Sequence, residues 1–110
     1  MTNRTWLGRP FDEQVVRLVW GKGKVDLRFD ATIWRQDTCG TWMLREEYGD
    51  RSSIFGWEID HIVPLNQGGS DDLENLRPLN WRNNEAKGNT YPWKCSVMPN
   101  EGHPLPKSSK

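Results

Sequence analysis

The sequence predicts a small single-domain α+β protein: an N-terminal helix, a β-hairpin, then two strands and a closing helix. Three observations carry this. One early segment has apolar residues at helical spacing. The middle of the chain alternates β-branched and aromatic residues between glycine-bearing turns. A length of 110 residues without internal repeats fits one modest core.

The helix is expected within FDEQVVRLVWGKG. Asp12 is the N-cap, Val15, Val16, Leu18 and Val19 form the apolar stripe, and Gly21 and Gly23 end it. VDLRFDATIWRQD follows and reads as extended structure from its β-branched and aromatic content. TIWRQDTCGTWMLREEYGD reads as a hairpin with DTCG at its turn. RSSIFG is a polar link. In WEIDHIV, Trp57, Ile59, His61 and Val63 fall on one side of a strand, and Glu58, Asp60 and Ile62 on the other. PLNQGGS is a loop whose Gly68 and Gly69 permit a sharp reversal. SDDLENL is a short helical turn capped by Ser70, LRPLN a second strand, and NWRNNEAKG a helix closed by Gly88. The domain is expected over residues 1–97, with 98–110, rich in proline, lysine and serine, as a disordered tail.

Composition excludes several classes of function. Fifteen basic and fifteen acidic residues cancel, so nucleic-acid binding would have to rest on a local patch. No apolar run is long enough for a membrane span, and no secretory signal precedes the domain, so a cytoplasmic protein is expected. Cys39 and Cys95 are too few for a four-cysteine zinc site. They could form one bridge, but two free thiols in a reducing cytoplasm are the expectation. Seven tryptophans are assigned to the core rather than to base stacking.

The chemistry concentrates in residues 56–88, GWEIDHIVPLNQGGSDDLENLRPLNWRNNEAKG. Strand, loop, strand and helix could bring Asp60, His61, Asn75 and Asn84 together. A histidine titrates near neutrality and can take a proton from water. An aspartate carboxylate and an asparagine carbonyl are hard oxygen donors that suit Mg2+ or Mn2+ rather than zinc. One divalent metal beside one general base is a minimal apparatus for phosphodiester hydrolysis. As a lone residue, His61 would read as a satisfied histidine on a half-buried strand. Asn75 could be a plain loop clamp, and Asn80, Asn83 and Asn89 compete with Asn84. Glu58 and Glu85 read as solvated charges, and His103 as incidental.

DHIVPLNQGGSDDLENLRPL resembles the HNH nucleases in its Asp-His, Pro, Gly-Gly and Asn-Leu positions. The spacing also agrees, 14 residues from His61 to Asn75 and 9 more to Asn84. Upstream, DTCGTWM and YGDRSSIFGWEIDHI are less specifically similar to bacterial and phage HNH proteins. The resemblance implies a ββα-metal core over about 56–88 and a metal-dependent DNA endonuclease that nicks one strand per event. His61 would be the general base and Asn75 the positioning asparagine. Asp60 and Asn84 would be the ligands of one Mg2+ or Mn2+ ion, an H-N-N variant. Many relatives bind a structural zinc through two cysteine pairs. Here Asn80 and Asn83 stand at the matching positions, so no structural zinc is expected, and Trp34, Trp42, Trp57 and Trp81 could supply the packing instead. Arg77, Arg82 and Lys87 are the candidates for DNA-backbone contact, each equally readable as a solvated charge. A non-cleaving nucleic-acid-binding module, or a subunit of a larger DNA-processing machine, is the alternative. Oligomeric state, including a homodimer, stays open.

Overall fold

A computed structural model describes residues 3–95. The expected tail and His103 lie outside the described residues. The elements run α1 (Glu13–Trp20), β1 (Trp34–Gln36), β2 (Trp42–Leu44), β3 (Trp57–His61), β4 (Leu76–Asn80) and α2 (Trp81–Lys87), with three single-turn 3-10 helices between them. The fold class is α+β, with two small antiparallel sheets, β1–β2 and β3–β4.

Helix α1 begins where expected. The Asp12 carboxylate accepts from Val15 N, and Gly21 closes the helix. Its buried residues are Val16, Val19 and Trp20, while Leu18 is exposed, contrary to the predicted stripe. Positions 16, 19 and 20 share one face at 3.6 residues per turn, and position 18 points away from it. The stretch from Val25 to Ile33 corrects a larger expectation. It is not extended, because two aspartates bend it. Asp26 accepts from Arg28 N, and Asp30 from both Thr32 N and Thr32 Oγ1. Such side chain-to-backbone bonds favour turns over strands. The strand starts only at Trp34.

The hairpin turn is at Asp37–Gly40, where Gly40 N donates to Asp37 O at 2.9 Å. The buried Asp37 carboxylate gathers four donors. Cys39 N and Thr41 N reach Oδ1, and Asn80 N and Asn83 Nδ2 reach Oδ2, each at 2.9 Å. This cluster ties the hairpin to the junction of β4 and α2. The chain beyond α2 returns to the same turn, and Cys39 forms a disulfide with Cys95, their Cα atoms 5.5 Å apart. The expectation of two free thiols is therefore wrong.

Strand β3 is buried at all five positions. Alternation alone would leave one face to solvent. Here one face meets α1 and the aromatic core, where Trp57 lies 5.1 Å from Trp20 and 4.8 Å from Tyr48 between ring centroids. The other face is covered by α2, through Asn84 and Lys87. Trp34, Trp42 and Trp57 are buried as expected, while Trp81 is half-buried and Trp6 is 70% exposed. Among the described residues, no helix is long and apolar enough to cross a membrane.

Candidate active site

The β3–β4 register pairs Asp60 with Arg77 and His61 with Leu76. Residues paired across a sheet share a face, so Glu58, Asp60 and Arg77 all lie beneath α2. Glu58 is buried, not a solvated charge. Arg51 grips both its oxygens, at 2.7 and 2.9 Å, and Glu58 in return holds the guanidinium above its ordinary pKa. The same carboxylate accepts from Asn84 Nδ2 at 2.8 Å. That bond occupies the amide nitrogen and turns the Asn84 oxygen elsewhere. Of the competing asparagines, Asn80 caps α2 through Arg82 N and donates its amide to Trp42 O and Ile54 O, and Asn83 donates to Asp37 and Thr41, so both side chains are committed elsewhere.

Asp60 is held from two sides. Arg77 Nε donates to Oδ2 at 2.8 Å, and Lys87 Nζ stands 3.1 Å from Oδ1. Lys87 is buried and also donates to His61 O at 3.0 Å. Two of the three residues expected to meet DNA thus face inward onto Asp60. Arg82, the third, is half-buried, and its Nε and Nη2 have no hydrogen-bond partner among the described residues.

His61 closes β3 and is 8% exposed. The Phe11 ring lies 5.8 Å from its ring, and Nε2 is 2.8 Å from Asp71 Oδ1. Asp71 was not among the sequence candidates. The only signal available was an acidic residue just past the Gly-Gly turn. Asn75 clamps that loop. Its Oδ1 accepts from Val63 N, and its Nδ2 donates to Val63 O and Ser70 O, at 2.9, 3.1 and 2.8 Å. Ile62 N donates to its carbonyl as well. The short turn Leu73–Asn75 has Asp72 rather than Ser70 at its N-cap, without a side-chain capping bond, and Ser70 Oγ accepts from Asp72 N. The loop requires its glycines. Gly68 has φ of 93°, and a Cβ on Gly69 would stand 1.8 Å from Val63 O.

Asp60, His61, Asn84 and Lys87 border one cavity of about 360 Å3, together with Asn3 and Leu65. Among the described residues, no group of three or more His, Cys, Asp or Glu is placed to hold a metal ion. The donor set therefore comprises one carboxylate and one amide. An ionised carboxylate has about four lone-pair sites, so Arg77 and Lys87 do not exhaust Asp60. Two hard oxygens with water and phosphate completing the shell suit a cation such as Mg2+, which keeps several waters. The residues fit such an ion.

Residues 49–90 match the family HNH endonuclease. The resemblance seen in the sequence is borne out over that span, and the match supports a nuclease-type activity at the level of the family. HNH nucleases act on DNA. No curated protein and no solved structure matches the chain significantly.

Proposed function

We propose that this protein is a metal-dependent DNA endonuclease built on a ββα-metal core, cutting one strand per event. The observation that carries the reading is that Asp60, His61 and Asn84 border a single cavity within the segment that matches a nuclease family. In this reading His61 takes a proton from a water molecule. The water oxygen bonds to phosphorus as the bond to the 3′ oxygen breaks, and the departing oxygen takes a proton from solvent. Asp60 and Asn84 would hold one Mg2+ or Mn2+ ion, which when bound supplies positive charge against the phosphoryl and leaving oxygens. Asn75 keeps the loop that carries Val63 and Ser70 in register with the end of β3. Arg77 and Lys87 orient Asp60 and, with Arg82, add positive potential where a backbone phosphate would approach.

A non-cleaving DNA-binding module is favoured by one observation: both oxygens of Asp60 already face cations. Plasmid nicking with Mg2+ or Mn2+, with and without chelator, separates the two. The expected result is chelator-sensitive nicking. In His61→Ala it should fall by roughly 100-fold or more, with calorimetric metal affinity near wild type. Asp60→Ala and Asn84→Ala should instead weaken metal binding. If a folded His61→Ala nicks at the wild-type rate, His61 is a structural histidine and the mechanism fails.

A further inference from the structure

A chain of contacts reaches His61 from outside the segment that matches the family. Asp71 Oδ1 is on Nε2 of the imidazole at 2.8 Å. The other oxygen of Asp71, Oδ2, accepts from Trp6 N at 3.1 Å. Trp6 sits in a turn closed on itself, where Thr5 N donates to Arg9 O and Gly8 N to Thr5 O. The segment is anchored on both sides of that turn. Before it, Asn3 Oδ1 accepts from Ile59 N on β3 and from the Tyr48 hydroxyl, each at 2.8 Å. After it, buried Phe11 packs on the His61 ring. On the loop side, Asn75 holds Ser70 O, one residue before Asp71.

We propose that Asp71 is the positioning residue of His61, and that residues 3–11 complete the site by holding Asp71. The chemistry follows from the two nitrogens of a neutral imidazole, one a donor and the other an acceptor. An ionised carboxylate only accepts. Its contact with Nε2 therefore requires the proton on Nε2 and leaves Nδ1 as the basic nitrogen. The hydrogen bond made by one ring nitrogen sets the role of the other. The Trp6 amide occupies the second oxygen, so the carboxylate cannot swing away without losing that partner. The Phe11 ring limits tilting of the imidazole. Asp71 and residues 3–11 touch no reacting atom in this scheme; they act through His61.

The consequence for cleavage rests on the nuclease reading, but the ring state does not, so the test reads both. Long-range proton–nitrogen NMR on the full chain, at a pH where His61 is neutral, reports which nitrogen carries the proton. A His61→Gln sample separates its signals from those of His103. The expected wild-type result is a single Nε2–H tautomer. Asp71→Ala should give a mixture of tautomers. Its kcat for nicking should fall roughly 10- to 100-fold, the usual scale for a residue that orients a catalytic group, with KM and calorimetric Mg2+ affinity unchanged. Asp71→Asn is the alternative should the alanine variant unfold. Its amide offers an acceptor to only one of His61 and Trp6 and a nitrogen to the other, so either the pure tautomer or the Trp6 anchor is lost and kcat should fall. A protein that never nicks DNA yet shows the Nε2–H tautomer, lost on Asp71 substitution, would overturn the nuclease reading alone. A wild-type Nδ1–H or mixed tautomer, or folded Asp71 variants with unchanged tautomer and kcat, would overturn this proposal.

Discussion

Replacing Asp37 with alanine tests what holds the hairpin to the helical end of the domain. The carboxylate is 1% exposed and accepts from Cys39 N, Thr41 N, Asn80 N and Asn83 Nδ2, all at 2.9 Å. Alanine removes every acceptor and leaves four donors facing a small cavity. Each buried donor left without a partner costs about 1–3 kcal/mol. Partial relaxation and water entry make these losses less than additive, so about 4 kcal/mol is the expected destabilisation. A domain of this size has about 5–15 kcal/mol in all, so the variant should be folded only marginally. Asp37→Asn keeps the shape but turns an amide nitrogen toward one pair of donors, and about 2 kcal/mol is expected from the same source. The assay is equilibrium urea unfolding with tryptophan fluorescence. The order wild type, asparagine, alanine should appear in the midpoints, with little change in slope. Purification in chelator should leave the wild-type midpoint where it was, because Asn80 N and Asn83 Nδ2 tie this junction to Asp37 by hydrogen bonds. An alanine variant within 1 kcal/mol of wild type would mean that the cluster is ornamental. A wild-type midpoint that collapses with chelator would mean that a metal does its work.

Two further outcomes are expected. Cys39→Ser, or reduction of the disulfide, opens a loop with sequence separation 56 and should cost about 4 kcal/mol by the chain-entropy estimate, measured as a midpoint shift under matched oxidised and reduced conditions; a shift near zero would place the constraint elsewhere. The Tyr48 phenol is raised above its ordinary 10.0 chiefly by burial, so its contribution to stability is complete below the unfolded value and is lost as pH rises through the folded one. Melting temperature should drop above about pH 10 less steeply in Tyr48→Phe than in wild type, and equal slopes would show that the phenol does not couple to folding.

Local signals in the sequence determined a good deal. The Asp12 cap, the Asp37–Gly40 turn, the Gly68–Gly69 reversal, the LRPLN strand and the Gly88 stop each depend on residues a few positions apart. Such signals survive in any tertiary setting because they act through the backbone itself. The same holds for Asn75, whose clamp on Val63 spans one loop. Two misses were local: position 18 lies off the 16/19/20 face at 3.6 residues per turn, and the Asp26 and Asp30 carboxylates bend Val25 to Ile33 by accepting from backbone two residues on. The other misses share one cause, which is that a partner's position is a tertiary fact. Glu58 looked solvated until Arg51 and Asn84 closed on it. Lys87 and Arg77 looked like surface cations until α2 packed over β3 and drew them onto Asp60. Cys39 and Cys95 looked free because a reducing cytoplasm was expected, and only the return of the chain past α2 brings them together. Asp71 and the segment at Asn3, Trp6 and Phe11 lie on either side of β3 in sequence, with no periodicity linking them. The chemistry proposed for Asp60 and His61 was legible in residue types and spacing. Which groups orient them was decided by packing, because a buried charge takes whichever partner the fold brings within reach.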